Sequence, residues 1–539
     1  MIKLQKRTSH YKSKHIHEVI IFQIVLMLFI SFQLKADEKV KAPFDLTIEE
    51  ITFPEKYFSI VDFGAKEGGI DKCTQAFTDA IEKATKSGGG YVTVPKGKWL
   101  VGPIVLKDNV CVKFEEGTEI LFSTDTEDYL PAVLSRHQGI DCYKHSAFIY
   151  ANGASNIGVI GKAVLHGQGK TWWNFRKAIP KSEDPFVTLM EMAEEDVPLG
   201  ERVFDDINKT LLAPCFIMPI YCKNILIEDI SLKYGAYWTV NPVYSENIII
   251  RNVSVETIGE YGKTGNGDGI NLSSCKNVLI EGCTLNTGDD CITLKSGRGI
   301  DGYKKGIPTE NVEVRNCVSL KGHGGVVIGS ETSGGIRNIY VHHCEFNGTD
   351  RGLRIKTARG RGDAIENVWF ENVKMGKMVK EMIKIHMPRY TDRYPAHPLT
   401  RMTPRIRNLN FQNIICKGAG EYAIRIQGLP EMPVESITIE DISVESEQGI
   451  LLIDAAAILI KDINIKPNDD AVLTFDNSSN IIIENLGETE KKILVKGEGS
   501  KEIRMVNCKL DKENISYDNC SNEVSILTSE SGNSLKQYK

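Results

Sequence analysis

The chain has 539 residues, of which 41% are hydrophobic and 25% are charged, so it has enough apolar material to build a large core. Its 65 basic and 71 acidic residues give a formal net charge of −6 at pH 7. This composition excludes a largely disordered chain, and the acidic balance argues against a nucleic acid as the partner.

The N-terminal segment, residues 1–36, has the three parts of a secretory signal peptide. Scattered Lys and Arg residues reach Lys14, an apolar run covers residues 19–32, and the small residue Ala36 ends the segment. We therefore predict export to the periplasm or to the outside of the cell, with a membrane anchor as the alternative. Removal of the segment takes away six basic residues and one acidic residue, which moves the net charge from −6 to −11. No second apolar run follows, so the mature form is predicted to have no stable membrane span.

The next region, residues 37–95, is predicted to contain a helix that caps a larger domain. This helix covers about Cys73 to Thr85 and is followed by the glycines at 88–90. A repeat protein needs such a cap, because its first coil otherwise exposes core residues and an unpaired strand edge.

Residues 96–486 contain a repeat in which an Asn or a small residue is followed by alternating apolar residues. The repeat starts at Asn224, Asn247, Asn277, Asn311, Asn338, Asn367, Asn408, Ser436, Ala457 and Asn480. Intervals of about 21 to 41 residues, with apolar runs typical of strands, favour β-coils with inserted loops over helical repeats. The repeat therefore predicts an all-β catalytic domain, a right-handed parallel β-helix.

Two columns of the repeat support this fold. The fifth residue after each start is Asn, Asp, Gly or His, types that tolerate a left-handed backbone or hydrogen-bond within turns. The next residue is apolar, and we expect it to enter the core. Cys283, Cys317 and Cys344 belong to this apolar column. Most of the 13 cysteines are therefore predicted to be small buried residues, and no metal site is expected among them.

Two segments lack the repeat. The acidic stretch from Pro180 to Asn208 is predicted to be an inserted loop or a short helix.

Trp172, Trp173 and Trp238 are interpreted as packing residues, with a platform for a sugar as the alternative. Residues 487–539 are predicted to hold C-terminal coils and a polar tail.

Four short motifs lie in consecutive coils and are predicted to form one site. They are Asn266-Gly267-Asp268, Gly288-Asp289-Asp290, Gly322-His323-Gly324 and Arg354-Ile355-Lys356. Strands of adjacent coils lie about 4.8 Å apart, so residues one coil apart in the sequence become neighbours on one face. Asp290 and His323 stand 13 and 12 residues after the starts of their coils, at nearly the same position.

Three aspartates in adjacent coils can supply the chemistry of a glycosidase, which needs one carboxylic acid and one carboxylate. Crowded like charges raise the pKa of at least one carboxyl group, so an acid can stay protonated beside ionised partners. His323 can tune the acid through a hydrogen bond. An acidic polymer could be bound by nearby basic residues, namely Lys295, Arg298, Arg354, Lys356, Arg359 and Arg361. A solvated charged surface is the alternative interpretation of these residues.

The four motifs in this order, together with the cap and with Gly167-Gln168-Gly169, resemble the polygalacturonase family, glycoside hydrolase family 28, over residues 58–486. The family's first motif usually reads Asn-Thr-Asp, whereas Gly267 occupies the middle position here. The resemblance implies hydrolysis of α-1,4-linked galacturonate in an acidic plant polysaccharide such as pectin. It also implies inversion at the anomeric carbon, without a metal or another cofactor.

The resemblance further implies a role for each candidate residue of the site. Asp289 is the general acid, His323 supports it, and Asp268 and Asp290 activate the attacking water. An inverting acid and base are expected to lie about 6.5 to 9.5 Å apart, which leaves room for that water.

Substrate binding is implied for Asn266, Arg354 and Lys356, the last two holding a galacturonate carboxylate beside the cleaved bond. The insert around residues 191–208 can close one end of the cleft, so we favour exo action. Three alternatives remain open: a rhamnogalacturonan hydrolase, a calcium-dependent pectate lyase and a noncatalytic polysaccharide-binding β-helix.

Overall fold

The computed structural model describes residues 41–259, 262–509, 512–520, 526–529 and 536–538. The chain divides into two units, residues 1–43 and residues 44–539, and all elements named below belong to the second. The predicted signal peptide lies outside the described residues, as does most of the predicted polar tail. Within the described ranges, no helix has both the length and the apolar character needed to cross a membrane.

Most strands stack in parallel into three sheets that run along one solenoid. The first sheet contains Tyr57–Ser59, Gly90–Val94, Val110–Phe114, Ser155–Ile160, Lys223–Glu228, Glu246–Arg251, Lys276–Glu281, Thr309–Arg315, Ile336–His342, Ala364–Met378, Arg405–Gln427, Val434–Ile453, Ala455–Pro467, Ser479–Glu484, Lys501–Val506 and Ile526–Ser529. The second contains Gly97–Val101, Thr118–Phe122, Val164–His166, Ser231–Lys233, Ser254–Glu256, Thr284–Asn286, Val318–Lys321 and Glu345–Phe346. The third contains Ile104–Val105, Ile149–Asn152, Ile217–Ile220, Ile270–Ser273, Ile292–Lys295, Val326–Gly329, Leu353–Lys356, Ile383–His386, Ala471–Asp476, Lys492–Lys496 and Ile515–Asp518. The strands Arg405–Gln427 and Val434–Ile453 pass through all three sheets.

A few elements lie outside these stacks. The remaining strands are Val133–His137, Ile140–Lys144, Val203–Phe204, Ile258–Gly259, Gly262–Lys263 and Lys536–Tyr538. The α-helices are α1 (Thr74–Lys86), α2 (Lys170–Ala178), α3 (Pro185–Glu194) and α4 (Gly299–Lys305). The 3-10 helices are Ile60–Phe63, Thr126–Tyr129, Lys181–Glu183, Leu199–Glu201 and Lys512–Asn514.

The strand register confirms the predicted parallel β-helix. In the first sheet, Ile248 pairs with Ile225 of the preceding coil and with Val278 of the following coil. All three side chains are buried, and the same holds for the inward residues of the other coils, so the core is one continuous apolar column. The coils continue past residue 486, since Lys492–Lys496 pairs with Ala471–Asp476.

The predicted column of turn residues is also confirmed. All ten residues that stand five positions after the starts have φ between 50° and 65°, the left-handed region. The starts themselves adopt the same conformation, with φ between 52° and 60°, which the sequence analysis did not predict. Each coil therefore bends at both ends of its first strand.

A ladder of asparagine side chains holds the starts in register. Asn338 Nδ2 donates to Asn311 Oδ1 at 3.0 Å, and Asn367 Nδ2 donates to Asn338 Oδ1 at 3.0 Å. The ladder extends to Asn277 and Asn408 through two further bonds of the same type. Asn suits this position because it tolerates the left-handed backbone and its amide both donates and accepts.

Helix α1 covers the N-terminal end of the solenoid, as predicted. Its buried face consists of Ala76, Phe77, Ala80, Ile81 and Ala84, which belong to the main core. The backbone N–H of Cys73 donates to Leu100 O at 2.8 Å, so the start of the helix is tied to the first coils.

The cysteines behave as the apolar column predicts. All 13 are free thiols, and 11 of them are buried, including Cys283, Cys317 and Cys344. They occupy positions that Ile and Val hold in other coils, so they pack as small apolar side chains.

We expect Asn338→Ala to lower the free energy of unfolding by about 3 kcal/mol, because it removes two hydrogen bonds and strains a left-handed residue. Asn338→Gly accepts the backbone conformation, so its smaller loss reports the ladder bonds. Denaturant unfolding of both variants measures these differences. A glycine variant as stable as the parent would show that the ladder contributes nothing.

Candidate active site

The four predicted motifs meet on the outer face of the third sheet. Asp268, Asp289 and His323 directly precede three of its strands, and Arg354 and Lys356 lie on a fourth. These strands are paired in register, through the column of Ile270, Ile292, Val326 and Leu353. Neighbouring coils are about 4.8 Å apart, so the motifs form one cluster although up to 90 residues separate them.

Hydrogen bonds between the coils align Asp268 with Asp290, and Asp289 with His323. The N–H that follows Asp268 donates to Asp290 O at 3.0 Å, and His323 N donates to Asp289 O at 2.9 Å. Asp290 and His323 were predicted to stand at nearly the same position of their coils, and the register puts them one residue apart. The starts of these two coils are 34 residues apart, and so are Asp289 and His323.

Asp290 and Asp268 form the buried floor of the site. Asp290 Oδ2 accepts from Lys356 Nζ at 2.7 Å, whereas its buried Oδ1 has no hydrogen-bond partner among the described residues. Asp268 Oδ2 accepts from Asn271 Nδ2 at 2.8 Å. Burial and then the negative charges of Asp289 and Asp290 raise the pKa of Asp268 well above its usual range, against the opposing charge of lysines.

Asp289 forms the rim of the site together with His323. His323 Nδ1 lies 3.0 Å from Asp289 Oδ1. Burial alone would raise the pKa of Asp289, but the His323 hydrogen bond and nearby lysine charges lower it to about 2. The same hydrogen bond raises the pKa of His323. Burial, and then the neighbouring carboxylates, thus favour the protonated form of Asp268, whereas the hydrogen bond between Asp289 and His323 favours the ionised form of Asp289 and the protonated form of His323.

The carboxyl groups at the rim are close together. One oxygen of each of Asp289 and Asp290, and one ring nitrogen of His323, lie within 4.8 Å of one another. For the Asp289–Asp290 pair this is shorter than the separation of about 6.5 to 9.5 Å expected of an inverting acid and base. The same three atoms have the spacing of metal ligands, but His323 already bonds to Asp289 and Lys356 already neutralises Asp290.

The predicted basic cluster divides into paired and unpaired residues. Lys295 Nζ donates to Glu331 Oε2 at 2.8 Å, and Arg359 forms an ion pair with Glu431. In contrast, the Arg354 guanidinium has no hydrogen-bond or ion-pair partner among the described residues, although the group is largely buried. Arg354 is therefore the member of the cluster that is available to bind an acidic ligand.

A cavity of about 440 Å³ adjoins the site at Asn266. The insert forms one wall through Phe186, and α2 forms another through Trp173 and Arg176. Arg176 Nη2 donates to Asn266 Oδ1 at 2.8 Å, which ties α2 to the first motif. His137 is buried at the bottom of the cavity wall.

The structure also decides between the two interpretations of the tryptophans. Trp172 and Trp238 are buried, at 0% and 3% exposure, and so they pack inside the protein. Trp173 lines the cavity, and its indole N–H donates to Gly235 O at 3.0 Å.

Sequence reasoning missed Arg176 and Glu331 as parts of the site. Arg176 bonds to Asn266 of the first motif, 90 residues away, and Glu331 bonds to Lys295 of the basic cluster, 36 residues away. The sequence signal for both was their position: Arg176 follows Trp173 closely, and Glu331 follows the strand Val326–Gly329.

Known proteins with similar sequences and structures share this arrangement of coils. A family model described as Glycosyl hydrolases family 28 matches residues 205–451. A probable polygalacturonase of Vitis vinifera is 26% identical over 458 residues, covering 82% of this chain and 85% of the relative. An exo-poly-alpha-D-galacturonosidase of Dickeya chrysanthemi is 24% identical over 355 residues, covering 61% and 56%. The crystal structure of a hyperthermoactive exopolygalacturonase from Thermotoga maritima is 34% identical, covers 81% of this chain and 93% of its own, and has a TM-score of 0.69.

The pKa shifts of His323 and Asp289 predict a pH window for their stabilising effect. The raised pKa of His323 gives stability that is fully present below the ordinary value of 6.5 and lost as pH rises through the folded-state value. The lowered pKa of Asp289 gives stability that is present above its ordinary value of 3.8 and lost as pH falls towards 2.

We therefore expect the difference in Tm between the parent and His323→Asn to be largest between about pH 4 and pH 6.5. Asn keeps a similar shape without the charge, so the pair is lost and the packing is retained. Thermal unfolding of both proteins across this pH range measures the difference, and a difference independent of pH would contradict the assignment.

Proposed function

This chain belongs to glycosyl hydrolases family 28 and is therefore a glycoside hydrolase, and on that premise we propose that it cleaves the α-1,4 bonds between galacturonate residues of pectin. Export, which residues 1–36 predict, would bring the enzyme to this polymer. The proposal rests on the alignment of Asp268 with Asp290 and of Asp289 with His323, beside Arg354, which has no ion-pair partner among the described residues. Acid, base and a cation for the sugar carboxylate then lie on one face.

The two aligned pairs, Asp268–Asp290 and Asp289–His323, have different tasks in the proposed reaction. Asp289 lies at the rim and protonates the leaving oxygen as the bond to the anomeric carbon breaks. Water attacks the same carbon from the opposite side and passes a proton to Asp290, whose Oδ1 is free to accept it. Asp268, aligned with Asp290 on the preceding coil, orients this water. One displacement of this kind would invert the configuration of the anomeric carbon, even though the closest oxygens of Asp289 and Asp290 are nearer together than in the usual inverting pair. The stereochemistry of the product decides between inversion and retention.

The proton for the leaving group comes from the Asp289–His323 pair. In the free enzyme this proton resides on His323, whose side chain is 42% exposed to water. A sugar bound over the rim removes that water, and loss of water disfavours an ion pair relative to two neutral partners. Substrate binding therefore moves the proton onto Asp289, the group that donates it. The pair holds one proton in both arrangements, so it titrates as a unit.

The two ends of the cleft differ, which suggests the direction in which the sugar chain binds. Arg354 lies two coils beyond the coil of Asp289, and a planar guanidinium binds a carboxylate through two parallel hydrogen bonds. We therefore propose that Arg354 binds a galacturonate on the leaving-group side of the cleaved bond. On the other side, α2 and the insert surround the cavity at Asn266 and leave a limited space for the sugar that keeps the anomeric carbon.

This closed end supports exo action, in which one short product is released at a time. The Thermotoga maritima relative is itself an exopolygalacturonase, which agrees with the proposal. The cavity volume of about 440 Å³ suits a small number of sugar units, whereas an endo-acting cleft is open at both ends.

We expect purified protein with chelator and demethylated polygalacturonate to release saturated monomer or dimer alone from the earliest times. Chromatography of products and absorbance in the ultraviolet measure this, and NMR of the new reducing end identifies inversion. Asp289→Asn is the matched control and should lower kcat by at least about a hundredfold while the fold is retained.

Other results of this time course would point elsewhere. A ladder of oligomers would replace exo action by endo action. Unsaturated products that vanish with chelator would identify a calcium-dependent lyase. Activity only on rhamnogalacturonan would overturn the substrate proposed here.

The shared proton predicts a shift in the pH profile of activity. Activity on the basic side is lost when the Asp289–His323 pair gives up its proton, at a pH above the ordinary histidine value of 6.5. In His323→Asn the proton resides on a carboxyl group alone, so the basic limb of kcat/KM should move to lower pH by at least one unit. Steady-state kinetics from pH 4 to pH 9 measures this, and an unmoved limb would disprove the shared proton.

A further inference from the structure

The row of cations at Arg354 continues beyond the catalytic site. In the third sheet, Arg354 pairs with Lys384 of the next coil, and Lys384 pairs with Arg425 of the coil after that. The residues that follow each of them are isoleucines with 0% exposure, at 355, 385 and 426. Because side chains alternate along a strand, the three cations share the outer face on which the catalytic residues lie.

This outer face has more positive groups than negative groups. Arg351 and Lys384 both form ion pairs with Glu381, so this carboxylate is not available to the other cations. Among the described residues, Arg425 Nε and Arg389 Nη1 are buried and have no hydrogen-bond partner. Guanidinium N–H groups that are buried without an acceptor cost free energy, so their presence calls for a ligand that supplies one.

The environment of these arginines is built and not incidental. The Arg389 guanidinium lies over the Tyr390 ring, 4.8 Å from its centroid, and Arg425 lies 5.6 Å from the centroid of Tyr422. Arg425 Nη2 donates to Gln427 Oε1 at 3.1 Å. These contacts orient both groups and leave the remaining N–H groups for another acceptor.

His386 is enclosed by the same charges and supplies no counter-ion. Burial first, and then the positive charges of Lys384, Arg425, Arg354 and Arg389, lower its pKa to about 4. Near neutral pH four cations, Lys384, Arg425, Arg354 and Arg389, therefore surround an uncharged imidazole. Glu381 is already paired with one of them, Lys384, and with Arg351.

We propose that Arg389 and Arg425 form a second carboxylate-binding subsite, which holds a galacturonate two units beyond the one bound at Arg354 on the leaving-group side. This inference rests on the proposed function and extends it. Arg425 lies two coils from Arg354, a distance of about 10 Å along the solenoid. Lys384 lies between them and lends positive charge to both positions. The substrate then runs from the cavity at Asn266 towards the C-terminal coils.

The subsite binds a particular feature of the substrate, a second carboxylate, and this can be tested by chain length. Galacturonate oligomers of two to five units are compared as substrates by kcat/KM. For the parent, kcat/KM should rise at the chain length at which the added galacturonate reaches Arg389 and Arg425. In Arg425→Gln this gain should fall roughly tenfold, equivalent to about 1.4 kcal/mol, whereas the oligomer one unit shorter should be cleaved at the parental rate.

Two further variants separate the subsite from effects on folding. Arg389→Gln should reproduce the loss at the same chain length, since it removes the other guanidinium from a different segment. Arg504→Gln changes an exposed arginine of the strand Lys501–Val506 and should leave every oligomer unaffected.

Each outcome decides the proposal. If Arg425→Gln lowers kcat/KM equally for all chain lengths, Arg425 has a structural role. If the rise of kcat/KM with chain length is undiminished in the variant, the proposed subsite does not exist. Neither result contradicts the proposed hydrolase. A parent that cleaves none of the oligomers would overturn the proposed function itself, and the subsite with it.

Discussion

In-register hydrogen bonding between coils is the constraint on which the active site depends. The third sheet pairs strand to strand without a shift from Ile270 through Leu353, so each coil step moves the outer face by about 4.8 Å. Left-handed bends at both ends of the first strand, together with the asparagine ladder, fix where every coil starts. Four motifs that are distant in the sequence can therefore act as one group, because the solenoid holds their spacing.

The charged side chains of the cleft fall into two groups, those that are paired within the protein and those that could bind a ligand. Lys295 and Lys356 are buried, and each has a carboxylate partner, which offsets the cost of removing an ammonium group from water. Arg354, Arg389 and Arg425 lack such partners among the described residues. An acidic polysaccharide would supply the missing carboxylates, although the protein as a whole carries a net charge of −6. Local charge on one face, and not the overall charge, thus accounts for the affinity expected of the cleft.

The insert that lines the cavity at Asn266 has a small core of its own. Leu189 and Ala193 of α3 pack with Ile140 and Cys142 in a small cluster that is separate from the main solenoid core. This packing fixes α3 to the strand Ile140–Lys144. Helix α2, whose Arg176 bonds to the first motif, lines the same cavity as α3. A wall built in this way stays in place without taking part in the coil repeat.

Local pattern was enough to predict the β-helix, its turn column, the buried cysteines, the capping helix and the clustering of the four motifs. Each of these depends on residue type at a regular interval, and the backbone geometry of a coil repeats at that interval. The pairing of Asp289 with His323, the link from Arg176 to Asn266 and the free guanidinium groups near Arg425 were decided only by the tertiary structure. They depend on which charged groups come within a few ångströms of one another and on how deeply each is buried, since both the distance and the loss of water set the position of a proton or the need for a counter-ion.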